Sequence, residues 1–107
     1  MPRNEYGIEL DRNGYAPSII SNERRCYRCR RTDGKIDRHE VYHGPNRTRS
    51  KNLGCWVYLC HGCHMDLHNT DPDFDAQLKI DCEDIALNYY GWSTSDFRRN
   101  FGKNYLI

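Results

Sequence analysis

The chain has 107 residues, 37% of them hydrophobic, with 16 Lys/Arg against 15 Asp/Glu, a net charge of +1 and a mean hydropathy of −0.96. That is about one domain's worth of chain, too polar to be held together by burial alone, so a metal staple is the expected supplement. Residues 1–20 contain no continuous apolar stretch of the signal-peptide kind and no later stretch approaches membrane-spanning length, which excludes a membrane partner and leads to the expectation of a soluble, cytoplasmic protein.

Taken in order, residues 1–23 are polar with scattered apolar anchors (Tyr6, Ile8, Leu10, Tyr15, Ile19, Ile20) and read as an irregular arm laid over the domain. A core over 24–69 follows. It opens with "CYRC" at 26–29, a tight turn presenting two thiols, and continues with "KIDRHEVY" at 35–42, which has strand character. "HGPNRTRSKNLG" at 43–54 reads as a loop by its Gly-Pro, Asn and Ser content. "CWVYL" at 55–59 is β-branched and aromatic, a strand, and "CHMDLHN" at 63–69 is a short helix.

Residues 70–107 form a helical extension within the same single domain. Asp71 is placed as an N-cap and Pro72 at the first helical position. Phe74, Leu78, Cys82, Ile85 and Tyr89 recur at helical spacing up to Gly91. A second helix starts from a capping box of Ser93 and Asp96 and stops at Gly102. The fold class is α+β, with helices and two strands around a metal-stapled centre.

The small net charge hides a segregation. Between Arg24 and Lys51 ten basic residues face only Asp33, Asp37 and Glu40; between Asp66 and Asp84 seven acids face only Lys79. The basic half is interleaved with metal ligands, which points to an anionic partner at the metal site.

Six cysteines in a short chain can be a disulfide framework, but four of them stand as two C-x-x-C pairs. Cys26, Cys29, Cys60 and Cys63 can complete a thiolate tetrahedron around structural Zn²⁺, a closed site that supports the fold and does no chemistry. Cys55 and Cys82 fall on apolar faces and read as small buried side chains. The histidines are then surplus. His64 and His68, four apart on one helix, can share a second ion, and His39 and Glu40 lie on the strand before the loop. His61 and His43 read as surface or satisfied polar residues.

The stretch "CYRC…DRHEVYHGPNR…LCHGCHMDLH" resembles the HNH endonucleases, whose fold is the small, treble-clef-like ββα-metal core stabilised by zinc knuckles, and in particular the small HNH proteins of phages and prophages. The flanks "NEYGIELDRNGYAPSI" and "FRRNFGKNYL" are similar to that group as well, although only residues 26–68 carry its motifs. The resemblance implies hydrolysis of DNA phosphodiesters with one divalent ion (Mg²⁺, Mn²⁺, Ni²⁺ or Zn²⁺), held by His39, His64 and His68.

The family's first motif sets a metal ligand beside a general-base His, and here the pair is His39–Glu40. If His39 is the ligand, Glu40 stands in the base position. If His39 is the base, Arg38 occupies the ligand position and cannot serve. The motif Asn corresponds to Asn46, with Asn52 as the alternative. Arg28, Arg30, Arg47, Arg49 and Lys51 are the residues expected to hold the DNA backbone without reading sequence. A monomer and a homodimer are both compatible with the motifs. Two other readings stay open: a non-catalytic zinc-knuckle DNA-binding module, and a protein-interaction adaptor using the acidic helix at 71–90.

Overall fold

The two apolar runs pair as an antiparallel sheet, β1 (Ile36–Glu40) with β2 (Trp56–Cys60), in register from Ile36 opposite Cys60 to Glu40 opposite Trp56. The computed structural model describes residues 2–106, so the two ends of the expected 1–107 span lie outside the described residues. Strand alternation gives β1 two functional faces. Asp37 and His39 point toward the helix that follows β2. Arg38 and Glu40 point toward the N-terminal arm, where Arg38 pairs with Asp11 at 2.7 Å and Glu40 accepts from the Tyr15 hydroxyl at 2.7 Å.

The segment between the strands is not a loop. Gly44–Asn46 is a 3₁₀ turn running into α1 (Arg47–Asn52). Pro45 sits where its fixed φ and missing N–H suit a helix start, and "RTRSK" contains good helix formers, so the turn residues initiate a helix and do not extend a loop. Buried Ser50 fastens this helix between the strands: its hydroxyl donates to Cys55 O at 2.6 Å and accepts from Tyr42 N at 3.2 Å.

Three helices follow: α2 (His61–Asn69), α3 (Pro72–Tyr90) and α4 (Thr94–Phe101). Their ends are where the side chains place them. Asp71 caps Phe74 N at 3.1 Å, Gly91 ends α3 in the left-handed region, the Ser93–Asp96 capping box is formed, and Gly102 terminates α4. The expected apolar face of α3 holds only in its first half. Leu78 and Cys82 are buried, but Tyr89 is 58% exposed and the buried line passes instead through Glu83 and Ala86. The C-terminal segment causes the shift: buried Glu83 accepts from Tyr105 N, Leu106 N and the Asn104 amide, and so draws that segment over this face.

One cluster of buried side chains joins Cys26, the sheet, Leu67 of α2, Leu78, Cys82 and Ala86 of α3, and Phe97 and Phe101 of α4. Tyr42, just beyond β1, packs on Phe97, Phe101 and Tyr105. The arm is irregular, as expected, and pinned by the Trp56 indole donating to Ala16 O at 2.8 Å and by Ile19 N donating to Gly54 O at 3.0 Å.

Gly54 has φ +74 and lies so close to the arm that a Cβ would collide with Pro17 O and Ile19; at Gly34 (φ +74) a Cβ would meet open space. Gly34→Ala should therefore cost only the left-handed backbone term, about 1–2 kcal/mol. Gly54→Ala should cost clearly more and loosen the arm, read as a lower denaturation midpoint of the zinc-loaded protein. Equal midpoints for the two variants would contradict the close approach.

Candidate functional site

Two short chain turns bring four sulfur atoms together. The thiols of Cys26, Cys29, Cys60 and Cys63 lie within 4.8 Å of one another and could hold a metal such as zinc. Cys29 Sγ and Cys60 Sγ are 3.7 Å apart, and the edge of a tetrahedron with Zn–S bonds of about 2.3 Å is about 3.8 Å. In each C-x-x-C pair the second cysteine's N–H donates to the first one's sulfur at 3.4 Å. Burial pushes the Cys26 thiol up, but the N–H groups of Cys29, Cys60 and Arg28 outweigh burial and hold it down at about 6, whereas burial and the neighbouring sulfurs push the Cys63 thiol up, so the four share their protons unequally. The first turn closes with Arg30 N donating to Cys26 O, which places Arg30 at φ 71, the left-handed region. Cys55 and Cys82 are fully buried and outside this group.

Cys60 has two roles. It is the last residue of β2 and the N-cap of α2, its sulfur accepting from Cys63 N. The start of α2 is thereby fixed, and with it the direction of His64 and His68. Their rings stand 4.9 Å apart and 5.1 and 5.4 Å from that of His39 across on β1. One nitrogen from each of the three lies within 4.8 Å of the others, a second group that could hold a metal ion. His39 is 2% exposed, and its Nε2 has no hydrogen-bond partner among the described residues. Burial, with His64, His68 and His43 adding to it, holds its pKa down at about 3, so the ring is neutral with a lone pair to offer. His68 is lowered by burial and by His64 and His43 as well. These three residues form one wall of a cleft of about 490 Å³, completed by Tyr15, Arg38, Glu40, His43, Gly44 and Arg47.

Asp37, which the sequence had offered only as one of the few acids in a basic stretch, proves to be part of this arrangement. Its Oδ2 lies 3.0 Å from His64 Nδ1 and 3.2 Å from His61 Nδ1. Burial alone would raise its carboxyl, but the bonds from His64 and His61 outweigh burial and hold it below the usual carboxylate range. A carboxylate on Nδ1 fixes the tautomer and leaves Nε2 of His64 as the ligand atom. The signal available in the sequence was strand alternation: Asp37 is two residues before His39 and must share its face.

The remaining expected site residues lie elsewhere. Glu40 is on the opposite face of β1, its Oε1 held by Arg47 Nε at 2.5 Å and its Oε2 by Tyr15; it lines the cleft but is not in the histidine group. Burial and the Glu40 carboxylate push the Tyr15 hydroxyl well up. Asn46 donates its side-chain amide to Phe101 O at 3.0 Å, tying the 3₁₀ turn to α4, and is not among the cleft residues. Asn52 accepts from the Asn4 amide through its carbonyl and likewise lies outside the cleft.

Most of the basic residues have acidic partners: Arg28 pairs with Asp71 and Asp66 and lies over the Phe74 ring, and Arg49 pairs with Glu5. Lys51 Nζ lies 4.9 Å from the Tyr15 ring centroid, and Arg30 is exposed. Among the described residues no helix is long and apolar enough to cross a membrane.

No family model, curated protein or solved structure matches the chain. The site is therefore read from its own geometry.

Replacing Cys29 or Cys63 by Ala should unfold or aggregate the protein, because zinc-binding free energy, on the order of 10 kcal/mol, is folding free energy in a site of this kind. Tightly bound zinc counted by elemental analysis, and loss of the folded circular dichroism spectrum on strong chelation, check this. A fully chelated protein that keeps its fold would contradict it.

Asp37→Asn should leave that zinc in place and weaken divalent-ion binding at the histidines by about 10–100-fold. Calorimetric titration with Mn²⁺ or Ni²⁺ measures it, and unchanged affinity would remove Asp37 from the site.

Proposed function

We propose that the protein is a metal-dependent endonuclease of the HNH class, hydrolysing DNA phosphodiester bonds on a ββα-metal core, in keeping with the phage and prophage proteins that residues 26–68 resemble. The observation that carries this reading is the convergence of His39, His64 and His68 on the wall of an open cleft, directly beside a separate four-thiol site. Two paired strands with a short helix between them, followed by α2 with the second cysteine pair at its start, support that reading.

Each part has a use in phosphodiester hydrolysis. The cysteines build and do not react, because four thiolates leave an ion no open position. Three histidine nitrogens leave positions for phosphate and water. His39, His64 and His68 would hold a divalent ion there, and it would supply positive charge to offset that of the phosphate. His64, steadied by Asp37, and His39, fixed by its burial, hold their nitrogens without further rearrangement. Arg47 and Arg38 line the same cleft and suit the backbone oxygens of a nucleic acid.

The non-catalytic DNA-binding module stays as a second reading on one observation. The acid beside His39, a candidate base, is occupied by Arg47 and Tyr15.

A plasmid-nicking assay of wild type and His64→Ala, run with Mg²⁺, Mn²⁺, Ni²⁺ and Zn²⁺, decides between them. The expected result is cleavage by wild type with at least one ion and its loss in His64→Ala, with zinc content and folding unchanged. Salt-sensitive DNA retention with no cleavage under any ion would establish the binding module in its place.

A further inference from the structure

His43 and Asp75 form a pair that neither the cysteine site nor the histidine triad uses. His43 lines the cleft with its side chain 41% exposed, and its ring centroid is 6.0 Å from that of His39 and 5.7 Å from that of His68. It is thus beside the triad without belonging to it. Asp75, one turn into α3, directs Oδ1 to within 3.7 Å of His43 Nε2. That oxygen is buried and has no hydrogen-bond partner among the described residues, while Oδ2 is held by Lys79 Nζ at 3.0 Å. At 3.7 Å the pair is longer than a hydrogen bond, as such contacts often are before substrate binds, and once closed it would orient a histidine base and leave its other nitrogen to accept. The two other candidates are engaged: His39 is in the triad and Glu40 is bound by Arg47 and Tyr15.

We infer that His43 is the general base of the hydrolysis and that Asp75 is its positioning residue. The inference rests on the nuclease reading and adds the residue that activates water. In the step it describes, His43 Nδ1 takes a proton from a water in the cleft as that oxygen bonds to phosphorus. The bond from phosphorus to O3′ breaks, its electron pair stays on O3′, and O3′ takes a proton from solvent at the cleft mouth. His43 then returns its proton to solvent.

The test is single-turnover cleavage of plasmid DNA by the full zinc-loaded chain with Mn²⁺, comparing wild type, His43→Ala and Asp75→Asn. Calorimetric Mn²⁺ titration and zinc content are measured in parallel. His43→Ala should cleave about 10²–10⁴-fold more slowly, with Mn²⁺ affinity and zinc unchanged and with part of the rate restored by added imidazole. Asp75→Asn should be slowed as well but gain nothing from imidazole, because its own ring still occupies the position. Wild-type rate in His43→Ala would overturn the inference and leave the nuclease reading standing. A tenfold or greater loss of Mn²⁺ affinity in His43→Ala would overturn it too, making His43 a ligand. A slowed His43→Ala that imidazole does not restore would reduce His43 to a structural residue. A wild type inactive with Mn²⁺ and, in the same assay, with Mg²⁺, Ni²⁺ and Zn²⁺ would sink the nuclease reading, and this one with it.

Discussion

Four sulfur atoms from two turns more than thirty residues apart in sequence come within 4.8 Å of one another, and the rest of the molecule is arranged around that meeting. Cys60 shows how far its influence reaches. It closes β2, caps α2 and contributes one of the four sulfurs, so strand, helix and metal group share a single residue. A helix whose first residue is fixed also has a fixed rotational phase. With about 100° per residue, slipping α2 by one position would carry His64 and His68 away from His39. The distance across the histidine group is therefore set by the sulfur group, even though the two share no ligand.

The same geometry changes how the charge segregation is understood. In sequence the basic stretch and the acidic stretch look like two separate faces. In space the start of α3 folds back on the first cysteine turn, and Asp66 and Asp71 meet Arg28. Much of the basic excess is spent inside the molecule, on pairs that are exposed and individually worth little. What stays near the cleft is a shorter set, Arg38, Arg47 and Lys51, with Asp11 and Glu40 beside it. An anionic backbone would have to displace Arg47 from Glu40 or be met at the rim, and that limits where it can lie.

The features legible in the sequence are those set by neighbours a few residues apart. The C-x-x-C turns, the i, i+4 pair of His64 and His68, the Asp71 cap, the Ser93–Asp96 capping box and the glycine stops all depend on local chemistry. The features that were not legible depend on partners far along the chain. The 43–54 segment is the exception: Gly44 and Pro45 read as loop residues but start a helix, which Ser50 fastens to Tyr42 and Cys55 only eight and five positions away. The buried line of α3 drifts because Glu83 captures the C-terminal segment. Glu40 leaves the histidine group because Tyr15 and Arg47 wait on the other side of β1. His43 looked like a surface or satisfied polar residue because Asp75 is thirty-two positions away in sequence.

Energetics ties the two metal groups together in a further sense. A buried nitrogen or oxygen with no partner costs about 1–3 kcal/mol, and among the described residues His39 Nε2 and Asp75 Oδ1 are both in that position. Burial, with the neighbouring imidazoles adding to it, also opposes protonation of His39, whose pKa is held low. A chain with so small an apolar core has little stability to give up to such an arrangement. A structural metal changes that balance, because its binding free energy is available to the fold whatever the cleft contains. With a metal bound, the thiol group would do more than replace a core: its surplus would permit a wall of unsatisfied, closely spaced ligands that burial alone would not sustain.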